Sequence, residues 1–360
     1  MNFSGWVMSD WGATHKTSAL MAGLDQEMPE TTFMGSDVVA AEVANGTVTQ
    51  AKIDDSVTRI MTALLAVGAM DRKPGSTGNA TTNVTSAEHN ALARQLASAG
   101  IVLLQNNPAG AASAPPLPLA KSVKHFALFG NDALNPIVHG EGSGAVTPGH
   151  VTSPMQALRS QLGFPTTAWE DKQVPQSTVS DCHGGACISF TPHGSSGSAI
   201  AAALKAAHVA LIFGSTICGE GEDRIDLSLN VPKRWNGILK RNDLQGQDEF
   251  IACVGTAAKA AGVPSVGAIV TPGPLLTPWS EQLDALLVSF MPGQEYGERG
   301  TACRLLAGLR SVFTLMALCC FRRGADRCAL RSREPQRTAA RDVSQQGERA
   351  RLQRRRVPRH

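Results

Sequence analysis

An aspartate follows a short apolar run near the start of this 360-residue chain. Residues 6–8, Trp-Val-Met, favour β structure, and the run breaks into Ser-Asp-Trp-Gly, so we expect a buried strand with Asp10 at its C-terminal end. A carboxylate beside the indole of Trp11 suits a polar ligand with apolar faces, such as a sugar. The alternative from the pattern alone is that Asp10 caps the next helix.

A second group of acidic residues follows an apolar run at residues 209–214. Residues 218–224 read Cys-Gly-Glu-Gly-Glu-Asp-Arg, with four charged residues among the last five. Such a density of charge directly after a buried strand is unusual for a plain turn. The alternative is an exposed acidic loop in which Asp223 and Arg224 form a surface pair, which would contribute little to stability.

Residues 7–13, Val-Met-Ser-Asp-Trp-Gly-Ala, and the linked residues 22–29, Ala-Gly-Leu-Asp-Gln-Glu-Met-Pro, resemble the nucleophile segment of glycoside hydrolase family 3 β-glucosidases. Residues 219–229 resemble the loop that carries the acid/base glutamate of that family. The resemblance, which covers about residues 3–297, implies that Asp10 is the nucleophile. Alignment on Asp-Arg implies that Glu220 is the acid/base, with Glu222 as the fallback.

The resemblance implies a retaining hydrolase that removes terminal non-reducing β-D-glucosyl residues and needs neither metal nor organic cofactor. Retention places the two carboxyls about 5 Å apart. We expect Asp10 to be ionised and a less polar setting to keep Glu220 protonated. Trp11 and Glu222 are the candidate substrate-binding residues. A β-xylosidase and a catalytically inactive, at most sugar-binding fragment are the alternatives.

The family resemblance implies an α/β fold, with the C-terminal part of a (β/α)8-like barrel followed by an α/β sandwich around a mostly parallel sheet. We expect the barrel part over residues 1–70, a linker over 71–86 and the sandwich over 87–297. A complete barrel needs roughly 250 residues. The strands that should precede Asp10 are missing from the sequence, which favours the fragment interpretation.

Two stretches within the predicted sandwich need separate interpretations. Residues 140–144, Gly-Glu-Gly-Ser-Gly, lack the Lys-Ser/Thr of a phosphate loop, and the resemblance implies a loop near the sugar pocket instead. Residues 231–241 interrupt the family pattern, and we interpret them as a lineage insertion or a retained intron. Helices are predicted over 15–23, 37–43, 53–67, 87–100, 154–162 and 245–261, and strands over 101–104, 126–130, 209–214, 266–270 and 285–290.

Charge is unevenly distributed along the chain. From Arg299 onward there are 16 Arg, no Lys and four acidic residues, so this tail carries +12 and the preceding residues carry −9 of the net +3. A basic arm for nucleic acid or acidic lipids is one interpretation of residues 298–360. The tail has neither interleaved aromatic residues nor helical periodicity, so we expect a non-native or disordered end, and neither nucleic acid nor membrane as a partner.

Cysteine spacing and possible glycosylation sites bear on the compartment. The eight cysteines show no metal-ligand spacing. Cys182 and Cys187 could form a local disulfide in an oxidising compartment, or remain free thiols. Sequons at four asparagines are compatible with secretion of the parent protein, although we find no signal peptide at Met1. The compartment and the oligomeric state stay open.

Overall fold

The computed structural model describes residues 3–71, 79, 81–109, 114–165, 174–231, 233, 235, 239, 241 and 243–297. The chain forms two compact units, unit 1 (Met1–Val84) and unit 2 (Thr85–His360). The predicted tail over 298–360 lies outside the described residues. The helices are α1 Ser36–Ala44, α2 Gln50–Ala66, α3 Ala87–Ala99, α4 Pro154–Leu162, α5 Gly197–Leu204 and α6 Gln247–Ala261. The strands are β1 Val102–Asn106, β2 His125–Phe129, β3 Val179–His183, β4 Ala186–Thr191, β5 Val209–Ser215, β6 Ser265–Val270 and β7 Ala285–Ser289.

Unit 2 is built around one seven-stranded sheet with the strand order β1-β7-β6-β5-β2-β4-β3. The five inner strands pair in parallel, and β1 and β3 pair antiparallel at the two edges. The predicted α/β class with a mostly parallel sheet is therefore confirmed.

Side chains of the inner strands are buried on both faces of the sheet. Along β2, Phe126 and Leu128 point into one apolar cluster, whereas Ala127 and Phe129 point into the other. This alternation follows from the two-residue repeat of a strand. Helix α4 covers the first cluster, and α5 and α6 cover the second. Burial on both faces explains why the inner strands read as continuous apolar runs in the sequence.

Capping residues determine where the predicted helices begin. Helix α4 follows Ser153, whose hydroxyl accepts a hydrogen bond from Gln156 N–H, while the Gln156 side chain accepts one from Ser153 N–H. This reciprocal capping box stabilises the first turn, and Pro154 suits its first position. Helix α2 begins after Thr49, whose side chain accepts from Lys52 N–H. Five of the six described α-helices fall close to predicted ranges, and α5 was not predicted. Residues 15–23, which were also predicted to be helical, contain the short 3-10 helix Thr17–Ala19.

The predicted buried strand over residues 6–8 is wrong. Met8 forms a single parallel bridge with Gln26, and Val7 and Met8 are 44% and 47% exposed. A strand is buried when strands flank it and side chains cover both faces. The described residues of unit 1 supply a bridge on one side of this segment and little apolar cover.

The segment that begins at Ile101 was also predicted to be a buried strand. Ile101 is buried, but the strand β1 itself is exposed over its first three residues. The reason is its place at the antiparallel edge of the sheet, where only β7 pairs with it. Apolar content predicted the strand here but not its burial.

Strands β3 and β4 form a hairpin at the opposite edge. Cys182 and Cys187 face each other across this hairpin and form a disulfide. Of the two alternatives that the sequence left open, the structure shows the disulfide. Among the described residues, no helix is both long enough and apolar enough to cross a bilayer.

Candidate functional site

Asp10 lies in a segment of unit 1 that runs alongside residues 25–28. Ser9 N–H donates to Gln26 O at 2.9 Å, and Met28 N–H donates to the Ser9 hydroxyl at 2.8 Å. Gly12 N–H donates to Met28 O at 3.3 Å. Asp10 thus lies between Ser9 and Gly12, which are both anchored by hydrogen bonds, and its side chain is exposed.

Trp11 follows in a conformation that is uncommon for a residue with a Cβ. Its φ is +51°, in the left-handed region, and its side chain is 58% exposed. An indole that is packed inside a unit would be covered on both faces. The exposure of Trp11 therefore leaves a ring face open for stacking beside Asp10.

A buried carboxylate that the sequence analysis did not identify fixes the Asp10 segment to helix α2. Asp25 accepts hydrogen bonds from Lys52 Nζ at 2.8 Å, from Ser56 Oγ at 2.7 Å and from Val7 N–H at 2.9 Å. Burial opposes ionisation, but these three donors outweigh it and lower the pKa of Asp25. The buried ion pair positions the start of the Asp10 segment.

The acidic loop of unit 2 follows β5 at a distinctive place in the sheet. The chain leaves β2 toward β4 on one side and leaves β5 toward β6 on the other, although β2 and β5 are neighbours. In open α/β sheets, ligands bind at the carboxyl ends of strands where the connections diverge in this way. Residues 216–224 after β5 and the glycine loop 140–144, which follows β2 along the chain, meet at this end.

Glu220 is held directly by the glycine loop. Its N–H donates to Glu141 O at 3.0 Å, and one carboxylate oxygen accepts from Ser143 N–H at 2.6 Å. Gly142 has a φ of +115°, and a Cβ placed on it would lie 2.4 Å from the Cβ of Glu220. Only glycine allows this approach, so residues 140–144 fix the position of the Glu220 carboxylate.

The electrostatic setting of Glu220 differs from the one expected of a protonated acid. The side chain is exposed, and hydrogen bonds from the Ser143 side chain and backbone lower the pKa of Glu220. A donor to the charged form stabilises that form, and water solvates it further. The expectation of a less polar setting that keeps Glu220 protonated is wrong for this structure.

Glu222 lies on a tight turn next to Glu220. Its N–H donates to Gly219 O at 3.1 Å, and Gly219 N–H donates to Glu222 O at 3.1 Å. The side chain is exposed. Arg224 of the same loop donates to Pro274 O. The turn thus carries two exposed glutamates, Glu220 and Glu222, two residues apart in the loop that follows β5.

The predicted site residues fall into two groups. Asp10 and Trp11 lie together in unit 1, whereas Glu220 and Glu222 lie together in unit 2. The separation of the two catalytic carboxyls, about 5 Å in a retaining enzyme, stays a prediction.

A buried ionic cluster at the same end of the sheet was missed. Arg241 Nη1 donates to Asp132 Oδ1 at 2.9 Å, and Arg241 Nε donates to Asp243 at 3.0 Å. Asp132 Oδ1 also accepts from Ser215 Oγ at 2.6 Å. Burial disfavours the charge on Arg241, but the two carboxylates outweigh it and raise the pKa of Arg241.

The signal for this cluster in the sequence was weak. Asp132 stands two residues after a predicted strand, and Arg241 lies at the end of the stretch that interrupted the family pattern. Neither position has a motif, and only the fold brings them together over 109 residues.

Residues 101–311 match the model of the family described as "Glycosyl hydrolase family 3 C-terminal domain", so the match extends beyond Gly297, where we expected it to end. "Probable beta-glucosidase L" of Aspergillus fumigatus is 30% identical over 333 residues, which cover 82% of this chain and 40% of the relative. The chain thus spans 40% of the length of this curated relative.

Solved structures show the same fold. The β-glucosidase D2-BGL from Chaetomella raphigera matches with a TM-score of 0.61 and 26% identity, over 85% of this chain and 42% of that one. β-Glucosidase 3B from Thermotoga neapolitana, solved in complex with glucose, matches with a TM-score of 0.61 and 22% identity over the same shares. At this lower identity the likeness concerns the fold alone.

Proposed function

The chain belongs to glycoside hydrolase family 3, and from this we propose that it carries the two catalytic carboxylates of a retaining β-glucosidase. The proposed reaction removes terminal non-reducing β-D-glucosyl residues. The observation that carries the proposal is the position of Glu220, which the glycine loop holds in the segment that follows the carboxyl end of β5. Because the chain spans 40% of its curated relative, the activity of the whole protein is part of the proposal.

In the first step, the Asp10 carboxylate attacks the anomeric carbon, the bond from that carbon to the leaving oxygen breaks, and Glu220 protonates the leaving oxygen. In the second step, Glu220 takes a proton from water, whose oxygen displaces Asp10 from the anomeric carbon. Each step inverts the configuration, so the product retains it. Asp10 is exposed between anchored residues, so its carboxylate is accessible to a substrate.

The lowered pKa of Glu220 favours the ionised form, which is the form needed for the second step. For the first step, Glu220 must be protonated. We propose that a bound glucoside excludes water from Glu220 while the contact with Ser143 stays in place, and that this desolvation raises the pKa of the carboxyl. Trp11 then stacks on the sugar, and Glu222 accepts hydrogen bonds from its hydroxyls.

The test of the nucleophile is hydrolysis of an aryl β-glucoside by the purified chain and by Asp10→Asn. We expect Asp10→Asn to abolish hydrolysis, and Asp37→Asn, which removes an exposed carboxylate of the same unit, to retain it. Equal activity of wild type and Asp10→Asn would remove Asp10 from the mechanism. An aryl β-xyloside assayed in parallel tests the xylosidase alternative.

The test of the acid/base compares Glu220→Gln with Glu222→Gln. A leaving group such as dinitrophenolate needs no proton, and azide needs no general base. Glu220→Gln should therefore lose hydrolysis of an alkyl β-glucoside, keep formation of the glycosyl-enzyme from the dinitrophenyl β-glucoside, and recover turnover with azide. The same pattern in Glu222→Gln, with a normal Glu220→Gln, would transfer the role to Glu222.

A second candidate is a non-catalytic, sugar-binding chain, and the exposure of unit 1 favours it. Among the described residues of unit 1, Leu20 and Val48 are the apolar side chains that are buried. A thermal scan by near-UV circular dichroism tests whether the chain has fixed tertiary structure, and calorimetric titration with glucose tests whether it binds sugar. Together with the hydrolysis assays, these measurements distinguish the non-catalytic candidate from the hydrolase. Sugar binding without hydrolysis of any aryl glycoside would support this candidate.

A further inference from the structure

The stretch that interrupts the family pattern is packed into unit 2. Of its described residues, Val231, Trp235 and Arg241 are 1%, 3% and 7% exposed, and Leu244, which follows the stretch, is fully buried. Lys233 in the same stretch is exposed. The buried apolar side chains of this stretch pack with Ile137 and Ile217, which belong to the two loops that hold Glu220.

Trp235 lies directly against the residue that precedes Glu220. A Cβ placed on Gly219 would lie 2.7 Å from Cη2 of Trp235. The indole belongs to a buried apolar cluster with Ile137, from the loop after β2, and Ile217, from the loop after β5. One side chain therefore packs against both loops, and it limits how far Gly219 can move toward the interior.

Arg241 joins the same two loops by hydrogen bonds. It donates to Asn135 O at 2.7 Å and to Asp132, both of which follow β2. Asp132 in turn accepts from the hydroxyl of Ser215, the last residue of β5. The guanidinium thus fixes the starting points of both loops relative to each other, while Trp235 packs farther along them.

Glu220 depends on both loops at once. Its backbone pairs with Glu141 of the first loop, its carboxylate accepts from Ser143, and Glu141 N–H donates back to Cys218 O at 3.3 Å. A small shift of either loop would change these distances. We propose that Trp235 and Arg241 are positioning residues that hold the two loops in register and so set the position of the Glu220 carboxylate.

This inference rests on the proposed function for its catalytic consequence, but its geometry is testable without activity. The first measurement is a ¹³C NMR titration of Glu220 in the full chain, assigned with Glu220→Gln and with the exposed Glu281 as the reference. Trp235→Ala should raise the pKa of Glu220 toward its ordinary value, because Ser143 no longer reaches the carboxylate. Trp235→Phe should retain most of the wild-type value, and the matched control Lys233→Ala all of it.

Unchanged titration of Glu220 in folded Trp235→Ala would overturn the proposal. If Trp235→Ala fails to fold, Trp235→Phe and Arg241→Lys take its place. We then expect the pKa of Glu220 to rise in Arg241→Lys, because the single nitrogen of an ammonium cannot reproduce the planar fork by which Nε, Nη1 and Nη2 of Arg241 reach Asp132, Asn135 and Asp243. A wild-type titration curve for Arg241→Lys would likewise contradict the proposal.

The second measurement is the leaving-group dependence of hydrolysis. In Trp235→Ala, displacement of the Glu220 carboxylate should lower kcat/KM for an alkyl β-glucoside at least tenfold more than for the dinitrophenyl β-glucoside. In Trp235→Phe, kcat/KM for the alkyl β-glucoside should recover. Equal losses on both substrates would contradict a positioning role. A wild-type chain that hydrolyses neither substrate overturns the proposed function, and the titration of Glu220 still decides the positioning role.

Discussion

Substitution of Asp132 by Asn should strongly destabilise unit 2. The wild-type carboxylate is 3% exposed and accepts from Ser215 Oγ at 2.6 Å and from two nitrogens of Arg241, at 2.9 and 3.3 Å. Asn keeps the volume and one acceptor, but it turns an NH₂ toward the guanidinium and removes a negative charge. Removing one partner of a buried pair costs roughly 3–5 kcal/mol.

We expect about 3 kcal/mol for Asp132→Asn, at the low end of that range, because Asp243 still neutralises Arg241. The assay is urea unfolding at pH 7, followed by far-UV circular dichroism and by tryptophan fluorescence. The matched control is Glu281→Gln, which removes one exposed carboxylate of unit 2 and should change the free energy of unfolding by less than about 0.5 kcal/mol.

Equal free energies of unfolding for Asp132→Asn and Glu281→Gln would refute this reasoning. Such a result would mean that the guanidinium of Arg241 is solvated or paired elsewhere, and that the two loops are not joined through Asp132.

Three further predictions concern the glycine loop, the Asp10 segment and the disulfide hairpin. Gly142→Ala should raise the NMR-measured pKa of Glu220 toward its ordinary value, because the new Cβ would lie 2.4 Å from the Glu220 Cβ. The control Gly144→Ala, whose Cβ meets no atom within 4 Å, should leave this pKa unchanged. Equal titration of Glu220 in the two variants would count against the loop contact. The pKa of Asp25 is lower in the folded state than in the unfolded state, so its stabilisation is complete above the usual pKa of 3.8 and is lost as the pH falls through the lowered value. Hydrogen exchange at the amide that binds Asp25, corrected for the intrinsic rate, should therefore accelerate in acid, and Asp25→Asn should flatten this pH dependence; an identical profile in the variant would contradict it. Cys182→Ser opens a disulfide between residues five apart and should lower the free energy of unfolding in urea by about 2 kcal/mol, from the entropy of the closed loop. A decrease no larger than that of an exposed Ser→Ala variant would argue against this prediction.

The sequence predicted most of the elements in unit 2 with their type and order, whereas strands β3 and β4 and helix α5 were not predicted. Strands buried on both faces, such as β5 and β6, are continuous apolar runs, and α4 is specified by the Ser-Pro start and the Gly after its last residue. These signals are local, because a strand or a capped helix is encoded within about ten residues. Asp10 and Glu220 were identified by family motifs, and their catalytic roles stay predictions.

Tertiary structure decided burial and electrostatics. The apolar residues of β1 are exposed because β1 lies at a sheet edge, and Val7 and Met8 are exposed because unit 1 gives them little cover. Tertiary structure also decides ionisation, because Ser143, which is 77 residues away in sequence, donates to Glu220 and lowers its pKa.

The stretch around Trp235 and Arg241 shows the same division most clearly. From its sequence we expected only an interruption of the family pattern, although the stretch lies within the residues that match the family model. In the fold, Arg241 meets Asp132 from 109 residues away, and Trp235 meets Gly219 beside the candidate acid/base. Composition and periodicity report on neighbours along the chain, whereas the partners of a buried charge are set by which strand ends the sheet brings together.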